Sequence, residues 1–206
     1  MRLALHQQWL DLQQRLVRRG ELPAVALSLR VPGTGTFWYG TLADAEPTET
    51  SLGQTFLDAA DHAVVYRARP DVGAIIQGAG SYGPLVASFG GCLPMLFDEQ
   101  ARHLGRMAAG VSDARRLPEA LGGGGNVLLL AERPLCLGTT ASRAALNAEL
   151  FEKCAKAYTL AQATGATLTR LPWWVVLIAT RRLERDQRNA ALAFASGELP
   201  AESRGY

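Results

Sequence analysis

Histidine is the side chain best suited to hold a divalent metal or move a proton near neutral pH, and this chain has three: His6, His62 and His103. No two are close in sequence. No H-x-H or H-x-x-x-H metal pair can therefore be written anywhere in the chain. The cysteines, Cys92, Cys136 and Cys154, are odd in number and widely spaced, which gives neither a disulfide framework nor a zinc ribbon. Cys136 sits in an apolar run and Cys154 on a helix face, so both read as small buried hydrophobes in a reducing, cytoplasmic setting. Gly78-Ala79-Gly80 lacks the spacing and the downstream acid of a dinucleotide fingerprint. The glycine run at 122–125 lacks the Lys-Ser/Thr of a phosphate loop.

The elements that must position these residues follow from periodicity. Leu5, Trp9, Leu12 and Leu16 mark one face of a helix over residues 2–19, stopped at Gly20. Residues 25–31 and 36–39 read as a hairpin around Pro32-Gly33-Thr34-Gly35. Residues 43–54 are polar and loop-like, 56–69 a second helix ending before Pro70, and 73–77 a short buried strand. Residues 81–88 suit a short helix with Pro84 in its first turn, and 98–104 and 113–121 are further helix candidates. Strands at 127–130 and 135–137 pair. Thr140 caps a long helix closed by Gly165, and residues 173–195 form a last helix. The start of that helix, Trp173-Trp174-Val175-Val176-Leu177-Ile178, is more apolar than a solvent-facing helix tolerates, which points to burial in an oligomer interface.

With 206 residues, 48% apolar and 19% charged, the chain can bury one sizeable core, and a single domain over 1–206 is expected. A net charge of +2 excludes a polybasic nucleic-acid platform. The longest apolar stretch is too short to span a membrane, and the first residues do not read as a secretory signal. Hairpins between helices point to an α/β fold with a mostly antiparallel sheet flanked by helices, rather than a doubly wound parallel sheet.

Two segments resemble the class II aldolase/adducin family. The first runs from Asp58 through His62, Tyr66 and Arg69-Pro70-Asp71 to Gln77, Ala79 and Tyr82. It is similar to the family's carboxylate, histidine, aromatic, RPD, apolar strand and H-x-H. The second, Val127-Leu-Leu-Leu-Ala-Glu132-Arg133-Pro134-Leu-Cys-Leu-Gly138-Thr-Thr with Ala144, Glu152 and Ala155 on the helix after it, is similar to the family's LL-x-NHG segment. The resemblance covers roughly residues 3–165. It implies a three-layer α/β/α sandwich around a largely antiparallel sheet, usually assembled as a four-fold tetramer with sites between subunits. It also implies three histidines holding a divalent metal, usually zinc, that stabilises an enediolate, with a carboxylate moving the proton.

At the positions of those three histidines this chain has Gln77, Ala79 and Arg133, with Glu132 as the alternative at the third. A glutamine carbonyl is a weak ligand, alanine is none, and arginine is a permanent cation. The carboxylate position keeps an acid, Asp58. Phosphate-binding elements are altered: Val25-Ala26 replaces Gly-Asn before Ser28-Leu29-Arg30, Phe56-Leu57 replaces a hydroxyl pair, and the glycine turn survives loosely at Tyr39-Gly40-Thr41.

The reading is a divergent member without a metal site or cofactor, keeping an altered pocket for a small keto or carboxylate compound. Metal-independent lyase, decarboxylase or isomerase chemistry would suit it. Asp58, Arg133 and Tyr82 are assigned to chemistry, and Gln77, Glu132, Ser28 and Arg30 to ligand binding. Arg133 serves as an anion clamp or as the ion-pair partner of Asp58 or Glu132. His62 is read as a packed, hydrogen-bonded histidine and Tyr206 as tail. Expected partners are a small molecule and further copies, or a paralogue, with neither nucleic acid nor membrane. The alternatives are an inactive pseudoenzyme that binds a metabolite or partners an active paralogue, and a structural module of the adducin kind.

Overall fold

Leu5, Trp9, Leu12 and Leu16 are all buried along α1 (Arg2–Arg18), as their spacing requires. They do so in a computed structural model that describes residues 1–54, 56 and 59–202. The chain continues through β1 (Ala26–Val31), β2 (Thr36–Thr41), β3 (Thr48–Ser51), α2 (Ala60–Ala68) and β4 (Ala74–Gln77). Short helical turns at Pro84–Phe89, Gln100–Leu104 and Ala114–Arg116 lead to α3 (Leu117–Leu121). The last elements are β5 (Val127–Leu130), β6 (Arg133–Gly138), α4 (Ala141–Ala163) and α5 (Trp173–Ala195). Thr140 caps α4 by accepting the Arg143 backbone N–H.

The six strands run in the order β3-β2-β1-β4-β6-β5, and every adjacent pair is antiparallel. Side chains alternate between two cores. Leu27, Leu29, Ile76, Val127, Leu129 and Cys136 pack under α1 and α4. Phe37, Ile75, Leu128, Leu130, Leu135 and Leu137 pack under α2 and α3. A sheet apolar on both faces must be covered on both, which gives the expected three-layer α/β/α sandwich.

Three details depart from the sequence expectation. The polar segment Thr48-Glu-Thr-Ser51 is an edge strand, held by backbone pairing to β2 rather than by apolar side chains. The β5–β6 connection is only Ala131-Glu132, a two-residue turn with both residues at positive φ (45° and 64°), so β6 begins at Arg133. Finally, α2 starts at Ala60, later than the residue-56 start expected.

Arg69 and Asp71, both about 8% exposed, form a bidentate pair at 2.7 Å. The same guanidinium donates to the Gly125 carbonyl and to Asn126 Oδ1, so it ties the end of α2 to the glycine run before β5. On α5 the buried face is Val176, Leu183, Ala190 and Phe194. Trp173, Trp174, Leu177 and Ile178 stay exposed on the chain. Among the described residues no helix is long and apolar enough to cross a membrane.

Candidate functional site

The antiparallel register fixes which strand positions meet. Gln77 ends β4, paired with Ala26 on one side and Leu135 on the other. It follows Ile76, which faces α4, so its side chain lies on the α2 face. Ser28, two residues along β1 from Ala26, lies on that face too. The helix α2 lays His62 and Tyr66 across them, one turn apart. The result is a buried chain of polar groups. Tyr66 Oη is 2.8 Å from Ser28 Oγ, Ser28 Oγ is 2.7 Å from His62 Nδ1, and His62 Nε2 is 3.0 Å from Gln77 Oε1. The ring of Tyr39 stands edge-on to the imidazole at 5.2 Å.

Burial sets the charge state of this chain. Desolvation lowers the His62 pKa to about 4, with the Arg133 charge adding to the effect, so the imidazole is neutral at physiological pH. Desolvation likewise raises the Tyr66 phenol, which keeps its proton.

Arg133 opens β6 on the same face as Leu135 and Leu137. Its guanidinium crosses Gly78 so closely that a Cβ there would lie 2.6 Å from Nη2. Gly78 has φ +85°, a conformation that favours glycine. Nη2 donates to the Ala24 carbonyl at 3.4 Å. Among the described residues no carboxylate pairs with Arg133. Of the two residues at the hairpin, Arg133 is the one beside Gln77. Glu132 is exposed and turns the other way, lining a cavity of about 280 Å³ with Ala131, Gly91 and Gly110.

Ala79 and Tyr82 lie apart from this group. Ala79 is buried in the core under α4. Tyr82 packs beside Lys156 of α4, with Nζ 5.4 Å from the ring centre. Its backbone N–H, with those of Ser81 and Gly83, donates to Glu152, while Gly80 N–H donates to Glu21. These two carboxylates occupy the N–H groups of the loop after Ala79, and a Cβ at Gly80 (φ +87°) would collide with Glu152. Arg30 was expected at the ligand. Its guanidinium donates to the carbonyls of Val72, Tyr66 and Arg69, capping α2, and lies 4.8 Å over the ring of Tyr66. Asp58, Leu57 and Tyr206 lie outside the described residues. The structure thus brings together Ser28, Gln77 and Arg133, places Arg30 at the far end of the chain against the ring of Tyr66, and separates Tyr82 and Glu132 from them. Sequence reading overlooked Tyr66 as a site residue, although its i+4 spacing from His62 places both on one helix face. Glu152, named in the family-like segment, caps the loop after Ala79, a role its position in the sequence did not show.

This donor set does not fit a divalent metal. The Gln77 carbonyl faces His62, Ala79 has no donor atom, and Arg133 brings a cation. Among the described residues no three His, Cys, Asp or Glu side chains are grouped to hold one.

Residues 44–159 match the family model of the Class II Aldolase and Adducin N-terminal domain. No curated protein sequence matches. Several solved structures are similar in fold. YgbL of Klebsiella pneumoniae, described as a candidate aldolase/epimerase/decarboxylase, is 17% identical with a TM-score of 0.72, covering 86% of this chain and 98% of its own. An L-fuculose 1-phosphate aldolase is 19% identical, TM-score 0.69, covering 84% and 96%. The L-fuculose 1-phosphate aldolase of Glaciozyma antarctica is 18% identical, TM-score 0.71, covering 97% and 92%.

Proposed function

Because the chain belongs to the class II aldolase and adducin N-terminal domain family, we propose that it is a divergent member that works without a divalent metal, on a small keto or carboxylate compound. One observation carries this reading: a guanidinium with no carboxylate partner among the described residues, that of Arg133, stands beside Gln77 where the family resemblance expects metal ligands. A fixed cation can grip a carboxylate, or stabilise charge developing on a carbonyl oxygen, without a metal. Gln77 orients the ligand and Asp58 moves the proton. The glycine and hydroxyl elements for phosphate are replaced, and the loop N–H groups after Ala79 are taken by Glu21 and Glu152. Both facts favour an unphosphorylated substrate of the lyase, decarboxylase or isomerase type.

A second reading, metabolite binding without turnover, is favoured by a different fact. Among the described residues the titratable side chain hydrogen-bonded to Gln77 is His62, which burial keeps neutral. In either reading the exposed Trp173, Trp174, Leu177 and Ile178 support assembly with further copies or a paralogue.

The test is a turnover screen with small keto and hydroxy acids, run with and without chelator. The first reading expects activity that is insensitive to chelator and lost in Arg133→Ala and Asp58→Asn. Normal turnover in both variants contradicts it. Binding without turnover supports the second reading.

A further inference from the structure

We infer that the buried chain Tyr66–Ser28–His62–Gln77 fixes the direction of its own hydrogen bonds so that Gln77 offers N–H donors to a ligand. Together with Arg133 this makes a donor-only receptor for a carboxylate or enolate oxygen. The inference deepens the proposed function and rests on it.

The argument is an accounting of protons. Tyr66 is about 2% exposed, and Ser28 and His62 are fully buried. Each polar hydrogen in the chain must therefore find an acceptor within it. Among the described residues the Tyr66 hydroxyl has one hydrogen-bond partner, Ser28 Oγ. The phenol holds its proton, so it donates to Ser28. Ser28 must then place its own hydrogen on the remaining neighbour, His62 Nδ1. Nδ1 can accept only if the neutral imidazole carries its proton on Nε2. That N–H donates to Gln77 Oε1.

The opposite direction fails at its first step. If Nδ1 carried the proton it would donate to Ser28, and either the serine or the tyrosine hydrogen would be left buried without an acceptor. An unmade buried hydrogen bond costs about 1–3 kcal/mol.

The consequence falls on Gln77. With its oxygen fixed on His62, its amide nitrogen is the group left for a ligand, and that group only donates. Arg133, on the same sheet face one strand over, also only donates. A site built of electron-pair donors for a metal has become a site of hydrogen donors for an anion. The ligand class that follows is one presenting oxygen acceptors with negative charge, such as a 2-keto carboxylate. A cation or a neutral sugar does not satisfy it. Tyr66 and Ser28 are positioning residues, acting through His62.

The inference is tested by nitrogen-15 NMR of the imidazole of His62, combined with titration by pyruvate and by its neutral amide. Expected is a neutral Nε2–H tautomer in the full-length protein. Tyr66→Phe leaves the Ser28 hydrogen with His62 Nδ1 as its acceptor, so it is expected to keep the tautomer, whereas Ser28→Ala, which removes the donor to Nδ1, is expected to admit the other tautomer. Pyruvate, but not the amide, is expected to shift the Gln77 side-chain amide signals. Gln77→Glu keeps an acceptor for His62, so it is expected to retain the tautomer while losing the pyruvate response. An Nδ1–H tautomer in the wild type overturns the inference, whatever pyruvate does. An Nε2–H tautomer with no response to pyruvate anywhere in the protein leaves the hydrogen-bond direction standing and overturns the pocket reading beneath it.

Discussion

The Nε2 atom of His62 lies 3.0 Å from Oε1 of Gln77, so the oxygen of the first would-be metal ligand already faces a buried donor. At the three positions where the family resemblance expects ligands, this chain has an amide whose oxygen faces His62, an alanine turned into the opposite core, and an arginine crossing Gly78.

Protonation of His62 is expected to destabilise the chain on the acid side of neutrality. Its pKa is lowered to about 4 in the folded state, against roughly 6.5 unfolded. The unfolded chain therefore binds the extra proton first, so stability is complete above about pH 6.5 and is lost as pH falls toward about 4. Between pH 7 and pH 5 the loss from this one group is about 2 kcal/mol. Urea midpoints at the two pH values, compared with His62→Gln, isolate it from His103, which is lowered in the same direction by burial and its arginine neighbours. Equal pH dependence in the variant contradicts the account.

Removing one partner of the Arg69–Asp71 pair is expected to be severe. Asp71→Ala leaves a guanidinium about 8% exposed, with only the Gly125 carbonyl and Asn126 to satisfy it. A cost of about 3–5 kcal/mol follows, read from chemical denaturation. A loss below about 1 kcal/mol would show that the pair does not anchor α2.

Much of this architecture was legible in the sequence because it rests on periodicity. The α1 face, the Thr140 cap and the bounds of α5 are local patterns. Other features were not local. Thr48–Ser51 has no apolar alternation, because an edge strand is held by backbone pairing alone. Ala131-Glu132 lacks the Asn-Gly that marks a two-residue turn, so the hairpin read as wider than it is. At the site, family position alone pointed to Gln77 and Arg133. Ser28, His62 and Gln77 meet across 34 and 15 residues, so only the sheet register shows that His62, read as a packed histidine, engages the Gln77 oxygen. The same register shows that Arg30 caps α2.

The Ala131-Glu132 turn stores strain that sequence can relieve. Both residues sit at positive φ, which each L side chain resists by about 1 kcal/mol or more. The double change Ala131→Asn and Glu132→Gly is expected to raise stability by about 1–2 kcal/mol, measured by thermal or urea denaturation. Destabilisation would mean that Glu132 has a role in the fold beyond the turn.

Glu152→Gln is expected to loosen the loop after Ala79. The carboxylate accepts the backbone N–H groups of Ser81, Tyr82 and Gly83. Loss of charge-assisted bonds there costs about 1–2 kcal/mol. Hydrogen exchange at these three amides is the specific readout. Faster exchange confined to them is expected, and unchanged exchange would contradict the capping role.

The most direct measurement is metal content and zinc binding of protein purified without chelator. Elemental analysis is expected to find zinc and other divalent metals well below one per chain. Calorimetric titration is expected to show no zinc binding that Gln77→Ala or Arg133→Ala alters. One tightly held zinc per chain, lost in Gln77→Ala, would contradict the account at its centre.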